Sequence, residues 1–456
     1  MAILPVGIGP QEGGYQIERS LRFNSADSAY LSRTPASNGD RQKFTFSFWI
    51  KRSSIPSALV SVFSVNDANG GGYPCFLFNS NTAYLQLENT NTNTFYWQTT
   101  QLFRDVSAWY HIVWAVDTTQ ASNSDRMKLY VNGELVTSYS TQQTIDQNAT
   151  TSVNSATLHE IGRFVDLNNR YLDGYLTQIQ MIDGQQLDAS SFGEYNTDTG
   201  VWQPKAYTGS YGTNGFYLDF ADNSSTTALG YDAAGSNDWT PNNFSVTAGA
   251  GNDSLVDTPT RYGTDTGAGG EVRGNYATLN PLNQNATGVT LSNGNLDVTR
   301  SSTSNGQVWS TFGMASGKWY AEVTAGADVA ELYIGIANGN MVAANRYLGQ
   351  DSNTWAYYPD GRKVNSGTYS SYGNSWTAGD VIGIAFDADA GSLYFYKNGT
   401  VQNSGTAAFT SLTSGPYFYA CSAESLTASS SWNFGQRPFA YTAPSGFKAL
   451  CTTNLP

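Results

Sequence analysis

Few side chains of this sequence are suited to act as nucleophiles, general bases or metal ligands, and their spacing argues against each role. Only two histidines are present, His111 and His159. His159 and Glu160 begin like the metalloprotease motif His-Glu-x-x-His, but the fifth position is Arg163 and the setting is strand-like rather than helical. His111 lies in the alternating run WYHIVWAV, where a structural role is expected. The sequence therefore predicts no zinc hydrolase.

The cysteines and carboxylates offer no better catalytic set. Cys75, Cys421 and Cys451 are widely spaced and form no Cys-x-x-Cys pair, which favours buried free thiols over a zinc site or a disulfide framework. The sequence contains no Gly-x-Ser-x-Gly elbow. Its strand-like segments lack the carboxylate pair that a glycoside hydrolase requires. We therefore expect a non-enzymatic protein, with a polysaccharide-degrading enzyme as the weakest alternative.

One short acidic segment could be taken for a calcium loop. Asp387-Ala-Asp389 resembles the start of such a loop, but position six is Ser392 and position twelve is Asn398, where Gly and Glu would be required. Aspartates accept hydrogen bonds from nearby backbone N–H groups in turns. We therefore interpret this segment as the turn of a β-hairpin.

Molecular recognition is the chemistry that the sequence supports. The segment WAYYPDGRKVNSGTYSSYGNSW, residues 355–376, combines aromatic rings that can stack on sugars with polar side chains that can meet hydroxyl groups. The competing interpretation, in which Trp355, Tyr357 and Trp376 simply pack inside the domain, stays open at this point. The predicted ligand surface consists of Tyr357, Tyr358, Asp360, Arg362, Tyr369, Tyr372 and Trp376.

The composition indicates that strands and turns must position these residues. Charged residues make up 13% of the 456 residues and aromatic residues 14%, and 46 residues are Gly. This balance favours short strands over surface helices. The net charge of -13, without a Lys/Arg cluster, disfavours nucleic acid as a partner. The N-terminus does not resemble a signal peptide and no segment approaches the roughly 18 apolar residues of a membrane span, so we expect a soluble protein without membrane insertion.

Two blocks of predicted strands are separated by a polar segment. In the first block, FTFSFWIK alternates strictly and places Phe44, Phe46 and Phe48 on one face. In the second block, KWYAEVTA, ELYIGIANG, DVIGIAFDAD and SLYFYKNG are again separated by turn residues. The sequence therefore predicts an all-β protein with two antiparallel β-sandwich domains of the jelly-roll type, joined by a polar linker.

The predicted domain boundaries follow the changes in composition. Residues 1–16 are predicted to form an N-terminal docking arm, and 17–247 a first sandwich with a C-terminal extension. Residues 248–283 are rich in Gly, Thr and Asp and are predicted to be the linker. Residues 284–437 form the second predicted sandwich, and 438–456 an ordered tail that lies over it.

Both blocks resemble known families. FTFSFWIKR, WYHIVWAVD, MKLYVNGELV and YLDGYLTQIQMIDGQQL are similar, in this order, to motifs of laminin-G-like, concanavalin A-like domains. GKWYAEVT, LYIGIA, WAYYPDGRKVNSG, GDVIGIAFDADAGSLYFYKNG and GPYFYACSA resemble successive motifs of the SPRY domain. The first resemblance implies a possible calcium ion at the domain rim, near Asp67 or Asp117, although both aspartates also suit ordinary turns. No other cofactor is expected.

The order of the two domains, followed by the tail NFGQRPFAYTAPSGFKALCTTNLP, resembles appendage proteins of tailed bacteriophages. This resemblance implies a tail fibre or lectin-like virion protein, made in the host bacterial cytoplasm and exposed on the particle exterior. The implied partners are other virion proteins through the N-terminal arm, a host-surface glycan or protein, and further copies of the chain, for example in a trimer. A capsid decoration protein, a head fibre or a passive structural spacer is the alternative.

Overall fold

The computed structural model divides the chain into two compact units. The N-terminal unit extends to Thr247 and includes Gly251–Thr260, while the C-terminal unit contains Ala248–Ala250 and Arg261–Pro456. The structure describes residues 14–55, 58–66, 72–78, 84–89, 95–165, 169–265, 271–282, 288–300, 305–340, 346–424 and 427–455.

Strands dominate the described part of the N-terminal unit, which also contains the short α-helix α1 (Asn123–Arg126) and 3-10 helices at Ala189–Ser191 and Thr227–Gly230. The strands are β1 (Ser20–Phe23), β2 (Tyr30–Arg33), β3 (Lys43–Arg52), β4 (Val60–Asn66), β5 (Gly72–Phe78), β6 (Tyr84–Asn89), β7 (Phe95–Leu102), β8 (Trp109–Asp117), β9 (Met127–Val131), β10 (Glu134–Leu135), β11 (Tyr139–Gln143), β12 (His159–Ile161), β13 (Gly174–Asp183), β14 (Gly193–Tyr195), β15 (Trp202–Pro204), β16 (Phe216–Leu218), β17 (Thr240–Asn242) and β18 (Ser254–Leu255).

These strands form two large antiparallel sheets and one separate hairpin. The first sheet has the order β10-β9-β8-β3-β13-β1-β18, with β16 also paired to β13. The second has the order β11-β7-β6-β5-β4-β12-β2-β17, and β14 pairs with β15. Phe44, Phe46 and Phe48 are fully buried in the core of this unit, as their alternation predicted. A β-sandwich buries the inward faces of both sheets in this way.

The other face of β3 and β8 is also buried, because later segments of the same unit cover it. Trp49, Trp109 and Tyr175 pack with Leu255 of β18 and with Trp202 of the β14–β15 hairpin. Val113 and Ile182 pack with Phe192, and further along with Tyr207 and Tyr211. The extension after β13 therefore occupies the outer face of the first sheet.

The C-terminal unit is a second set of antiparallel sheets. Its strands are β19 (Val289–Ser292), β20 (Asp297–Arg300), β21 (Gly306–Trp309), β22 (Lys318–Ala325), β23 (Leu332–Asn338), β24 (Thr354–Tyr357), β25 (Arg362–Asn365), β26 (Thr368–Ser371), β27 (Val381–Asp387), β28 (Ser392–Lys397), β29 (Thr400–Val401), β30 (Tyr417–Ala423), β31 (Ser429–Asn433) and β32 (Lys448–Ala449).

One sheet of this unit has the order β19-β20-β31-β22-β27-β28-β29, and β32 adds to β22 as a parallel strand. The other has the order β21-β30-β23-β24-β25-β26. Leu332, Ile334 and Ile336 point from β23 into the core between the sheets, where Trp319 and Phe386 also lie. The predicted all-β fold, with two antiparallel sandwich domains, is confirmed.

The residues predicted as a linker belong largely to the two units. Strand β18 pairs with β1, and Asp253 and Asp257 are buried in the N-terminal unit. In the C-terminal unit, Tyr276 is buried and forms an isolated bridge with Cys451. The polar composition of this segment did not predict that it packs in the folded units, because Asp253 and Asp257 are buried against cationic side chains rather than exposed to water.

The ends of the chain differ in what the structure describes. Residues 1–13 of the predicted docking arm lie outside the described residues. The tail predicted over the second domain is described up to residue 455, and Phe447, Ala449, Leu450 and Cys451 are buried in the C-terminal unit. Among the described residues, no helix is long and apolar enough to span a membrane.

Candidate functional site

The residues of the predicted ligand surface separate into two groups. Tyr357, Tyr372 and Trp376 are at most 7% exposed and pack in the core between the sheets of the C-terminal unit. Tyr357 stacks on Phe395 with 5.0 Å between ring centroids. Trp355 is buried in the same core. These side chains cannot touch a ligand in the folded unit, so the packing interpretation is the correct one for them.

The remaining four predicted residues lie together at the outer face of the sheet β21-β30-β23-β24-β25-β26. Alternation places Tyr357 inward and its neighbour Tyr358 outward. We call this patch the tyrosine surface and define it as Tyr333, Tyr347, Tyr358, Asp360, Arg362, Tyr369 and Glu424.

Four aromatic rings form the centre of the tyrosine surface. Tyr333 lies at the base, 2% exposed, and stacks on Tyr347 with 4.8 Å between ring centroids. It also contacts Tyr358 at 4.8 Å, and Tyr358 meets Tyr369 edge-on at 5.7 Å. Such offset and edge-to-face contacts stabilise aromatic pairs beyond their buried area. The three outer rings are partly exposed and therefore present apolar area to solvent.

A hydrogen-bond network fixes the hydroxyl groups beneath this surface. The Tyr333 hydroxyl donates to Glu424 Oε2 at 3.0 Å and lies 2.8 Å from the Tyr369 hydroxyl. Asn305 Nδ2 donates to the other carboxylate oxygen of Glu424 at 2.7 Å. Since the Tyr333 hydroxyl donates its hydrogen bond to Glu424, its oxygen can accept a hydrogen bond from the Tyr369 hydroxyl. The rings are thereby held in one arrangement.

Arg362 supplies a positive charge at the edge of the rings. Its guanidinium carbon lies 4.4 Å from the Tyr369 ring centroid and 5.8 Å from that of Tyr358. Asp360 pairs with the guanidinium at 2.6 Å, and the two side chains are 42% and 44% exposed. A guanidinium held between an aromatic face and a carboxylate keeps donors free for a ligand acceptor. The surface therefore combines stacking area with charge-assisted hydrogen bonding.

The ionisation states of this surface are set by burial and by the Arg362–Asp360 pair. Burial raises the pKa of Tyr369 to about 12 and also raises the pKa of Tyr358. Burial opposes ionisation of Asp360, but hydrogen bonds and charge from Arg362 outweigh it and lower the pKa of that carboxyl group. At neutral pH Tyr358 and Tyr369 are therefore neutral phenols, and Asp360 is a carboxylate beside Arg362.

The scaffold beneath the rings is rigid. Ala337, Ala356, Val364 and Ala420 come from four adjacent strands and are at most 1% exposed under the tyrosines. Val364 pairs directly with Tyr369 across β25 and β26. Sites built on paired strands hold side chains more exactly than sites built on loops.

The sequence prediction missed three members of the surface. Tyr333 could have been found, because alternation in LYIGIA places it opposite Leu332 and Ile334. Tyr347 and Glu424 lie outside the named strands, and Glu424 is also distant in sequence from residues 355–376. No local pattern predicts their approach, which depends on the pairing of β23 with β24 and β30.

The structure describes Asp117, one of the two aspartates of the calcium hypothesis, and its contacts do not favour a calcium site. Lys43 pairs with Asp117 at 3.1 Å, and Thr119 and Gln120 donate to its two carboxylate oxygens. These donors, which outweigh the effect of burial, lower the pKa of Asp117. Asp117 thus closes a turn rather than facing a cation site, while Asp67 lies outside the described residues. The described part of the chain contains no group of three or more His, Cys, Asp or Glu residues suited to a metal ion.

Asp387 and Asp389 likewise serve the fold. Asp387 accepts from Ala390 N at 3.0 Å and pairs with Lys318 at 2.9 Å. Asp389 accepts from Gly317 N at 2.8 Å. Both carboxylates therefore have the turn and ion-pair contacts expected of a hairpin rather than those of a calcium loop.

Among the residues that the structure describes, Ser47 and His111 resemble a catalytic pair. Ser47 Oγ lies 2.9 Å from His111 Nε2, and Trp202 Nε1 donates to His111 Nδ1 at 3.0 Å. Because Nδ1 accepts, the proton of the neutral ring is on Nε2, which donates to Ser47 and cannot take its proton. Burial lowers the pKa of His111 to about 3. The trio is a structural contact.

The other candidate catalytic side chains are also buried or paired. Glu160 binds Arg163, with Arg163 Nε donating at 2.8 Å, so the pair is an ion pair and no metal ligand set. Cys421 and Cys451 are free and fully buried, and burial raises the pKa of each to about 12. A thiol with so high a pKa is a poor nucleophile. The side chain of Cys75 lies outside the described residues.

Comparison with known proteins identifies both domains. Residues 24–190 match the concanavalin A-like lectin/glucanases superfamily, and residues 318–437 match the SPRY domain. The chain carries both domains. The tyrosine surface thus lies entirely within the SPRY match, and the extension after residue 190 covers the concanavalin A-like sheet.

Individual relatives match parts of the chain. Over 108 residues the chain is 38% identical to the E3 ubiquitin-protein ligase RKP of Arabidopsis thaliana. This match covers 23% of this chain and 8% of the ligase. The SPRY domain of human HERC1 is 19% identical with a TM-score of 0.29, over 34% of this chain and 96% of that domain. The TRIM65 PSpry domain is 16% identical with a TM-score of 0.29, over 35% of this chain and 89% of that domain.

Proposed function

We propose that this chain is a non-enzymatic adhesion protein whose SPRY domain binds a glycan or protein through the tyrosine surface. The observation that carries the proposal is the arrangement of partly exposed Tyr347, Tyr358 and Tyr369 beside Arg362 on a rigid sheet. Aromatic rings stack on sugars or on apolar side chains, and the guanidinium binds a carboxylate or hydroxyl acceptor. Rigid aromatic anchors flanked by arginine are typical of binding hot spots.

The described part of the concanavalin A-like domain supports a scaffold role. Its outer sheet face is filled by Trp202, Phe192 and Leu255, so a sugar chain cannot lie along it without displacing the extension. The neutral His111 ring carries its proton on Nε2 and cannot accept one from Ser47. Together with the covered sheet face, this supports a protein without hydrolase activity. Release of reducing sugar from bacterial envelope polysaccharide by the purified chain would overturn this part of the proposal.

We propose a tailed-phage virion as the setting, with the chain exposed on the particle exterior as a tail fibre. The support is the order of the two domains and the tail, the low content of charged residues and the high content of Tyr, Asn, Ser and Gly. In this proposal the N-terminal arm contacts other virion proteins, the chain forms a homo-oligomer such as a trimer, and the SPRY domain meets the host surface. Immunogold labelling of virions tests the location, and label on the head shell would favour the capsid decoration alternative.

The binding proposal is tested with two cationic residues of the SPRY domain. Arg362→Ala should lower adsorption of the fluorescently labelled chain to bacterial cells by at least about fivefold, because arginines are among the residues whose truncation is most costly at a binding hot spot. Its unfolding transition should be nearly unchanged, because the Arg362–Asp360 pair is exposed.

Lys318→Ala is the matched control. Lys318 is 45% exposed, pairs with Asp387 at 2.9 Å and lies 5.8 Å from the Phe447 ring, but it is on the other sheet. Its removal should leave adsorption unchanged. Equal adsorption of the two variants would reject the tyrosine surface as the contact, and a folded parent chain that does not adsorb would favour a structural spacer.

A further inference from the structure

The N-terminal unit contains an ion pair that is completely removed from solvent. Lys51 Nζ of β3 lies 2.8 Å from Asp257 Oδ2, and both side chains are 0% exposed. The two residues are 206 positions apart in the sequence. Burying an ammonium and a carboxylate carries a large desolvation cost for each ion, which a single ion pair seldom recovers in full.

Aromatic and apolar side chains pack against this pair. The Tyr175 ring centroid lies 5.6 Å from Lys51 Nζ, and Trp109 Nε1 donates to Asp257 Oδ1 at 3.1 Å. Trp49 and Leu255 complete the cluster. Burial lowers the pKa of Lys51 despite the opposing charges of Asp257 and Asp105. A low dielectric favours transfer of the proton from nitrogen to oxygen, which leaves a neutral amine beside a carboxylic acid.

We propose that Lys51 and Asp257 form a covalent amide cross-link in the folded protein. After proton transfer, the lone pair of Lys51 Nζ attacks Asp257 Cγ, and a bond from Nζ to Cγ forms. Oδ2 receives a second proton from the nitrogen and departs with the bonding electrons as water. The product is a secondary amide that keeps one N–H, so three ammonium protons become one amide proton and one water molecule. No oxidant or cofactor is required.

Trp109 is placed to assist this step as a positioning residue. Its N–H points at Oδ1, the oxygen on which negative charge develops when the carbon becomes tetrahedral. A fixed donor at that oxygen stabilises the developing charge in a site closed to bulk solvent. The same hydrogen bond is retained in the product, because Oδ1 becomes the carbonyl oxygen of the amide.

The other ion pairs of the described residues lack this combination. Lys43, Lys318 and Lys397 also pair with aspartates, but their side chains are 35%, 45% and 26% exposed. Exposed side chains stay hydrated, so they lack the desolvation that favours a neutral amine beside a carboxylic acid. Arg22 is buried with Asp253, but its delocalised guanidinium is not suited to act as the nucleophile. The geometry therefore singles out Lys51.

Mass spectrometry of the purified 456-residue chain tests the proposal. Under denaturing conditions, the intact mass should be lower than the sequence mass by one water molecule. Proteolysis should give a branched peptide that joins the segments around Lys51 and Asp257, while Lys43 and Asp117 should be recovered in separate unmodified peptides. The test does not depend on ligand binding, so its result is independent of the proposed function.

Two variants identify the site of the link. Lys51→Arg keeps the charge but cannot form the amide, and Asp257→Ala removes the acceptor; each should restore the full sequence mass. Trp109→Phe, which removes the N–H, should slow the loss of water after refolding. If the folded parent chain has the full sequence mass and yields unmodified peptides for both residues, the pair is a simple ion pair and the proposal is rejected.

Discussion

Tyr357 and Tyr358 are adjacent in the sequence and have opposite surroundings. Tyr357 is fully buried against Phe395 in the core, while Tyr358 packs on Tyr333 at the outer face. Neighbouring residues of a strand point to opposite faces, so the assignment depends on which face the other sheet covers. A run of aromatic residues therefore indicates a candidate surface, but half of its members can belong to the core.

The two histidines are buried as neutral rings. Burial lowers the pKa of His111 to about 3 and that of His159 to about 4. His111 is held between Ser47 and Trp202 by hydrogen bonds, and Thr157 O accepts from His159 Nδ1. Protonation of His111 at Nδ1 would break the hydrogen bond from Trp202, whereas His159 Nε2 has no hydrogen-bond partner and burial opposes its protonation.

We predict that acid destabilises the N-terminal unit through these histidines. In the unfolded chain the histidines take up protons as the pH falls below about 6.5. In the folded unit His159 and His111 stay neutral until the pH approaches about 4 and about 3. Their contribution to stability is therefore fully present above about pH 6.5 and is lost as the pH falls. Each histidine should remove about 2 kcal/mol between pH 7 and pH 5. In urea denaturation, His111→Gln should reduce this difference by about 2 kcal/mol; an unchanged difference would show that His111 titrates normally.

At the scale of elements, two hairpins close on Asn-Gly. Asn132 and Gly133 have φ of 49° and 87°, and Asn398 and Gly399 have φ of 47° and 77°. Two residues of positive φ form the hairpin turn that suits the right-handed twist of paired strands. The sequence alone predicts these turns, because few residues other than Asn and Gly tolerate this conformation.

We predict that Gly133→Ala is more destabilising than its backbone angle requires. A Cβ at this position would lie 2.5 Å from ring atoms of Trp202, in the hairpin that covers His111. The matched control is Gly184→Ala, because Gly184 has φ of 85° and an added Cβ there would meet no atom within 4 Å. The control should cost about 1 kcal/mol and Gly133→Ala about 2–4 kcal/mol in equilibrium unfolding. Equal costs would show that Trp202 moves away freely.

At the scale of the whole molecule, the N-terminal unit includes residues that follow an apparent boundary. Residues 251–260 supply β18, Asp253 for Arg22 and Asp257 for Lys51. The fragment 14–247 would leave Arg22 and Lys51 buried without these partners. Loss of one partner of a buried ion pair costs about 3–5 kcal/mol.

We therefore predict that the fragment 14–260 unfolds cooperatively and that the fragment 14–247 does not fold. Thermal unfolding followed by circular dichroism provides the measurement. The fragment 14–264 is the control, because residues 261–264 belong to the other unit, and it should have the same unfolding midpoint as 14–260. A cooperative transition of 14–247 at the same temperature would show that residues 251–260 contribute little.

The sequence by itself determined the strand content, the hairpin turns and the resemblance of both blocks to known domains, because alternation and turn residues are local properties. It also included Tyr358, Asp360, Arg362 and Tyr369 in the predicted ligand surface, and the structure brings these four residues together. Only the tertiary structure decided that Tyr357, Tyr372 and Trp376 are core residues, that Tyr333, Tyr347 and Glu424 join the surface, and that the predicted linker contains partners for buried cations. Burial depends on contacts between distant segments, such as Lys51 with Asp257 across 206 positions, and no local pattern records them.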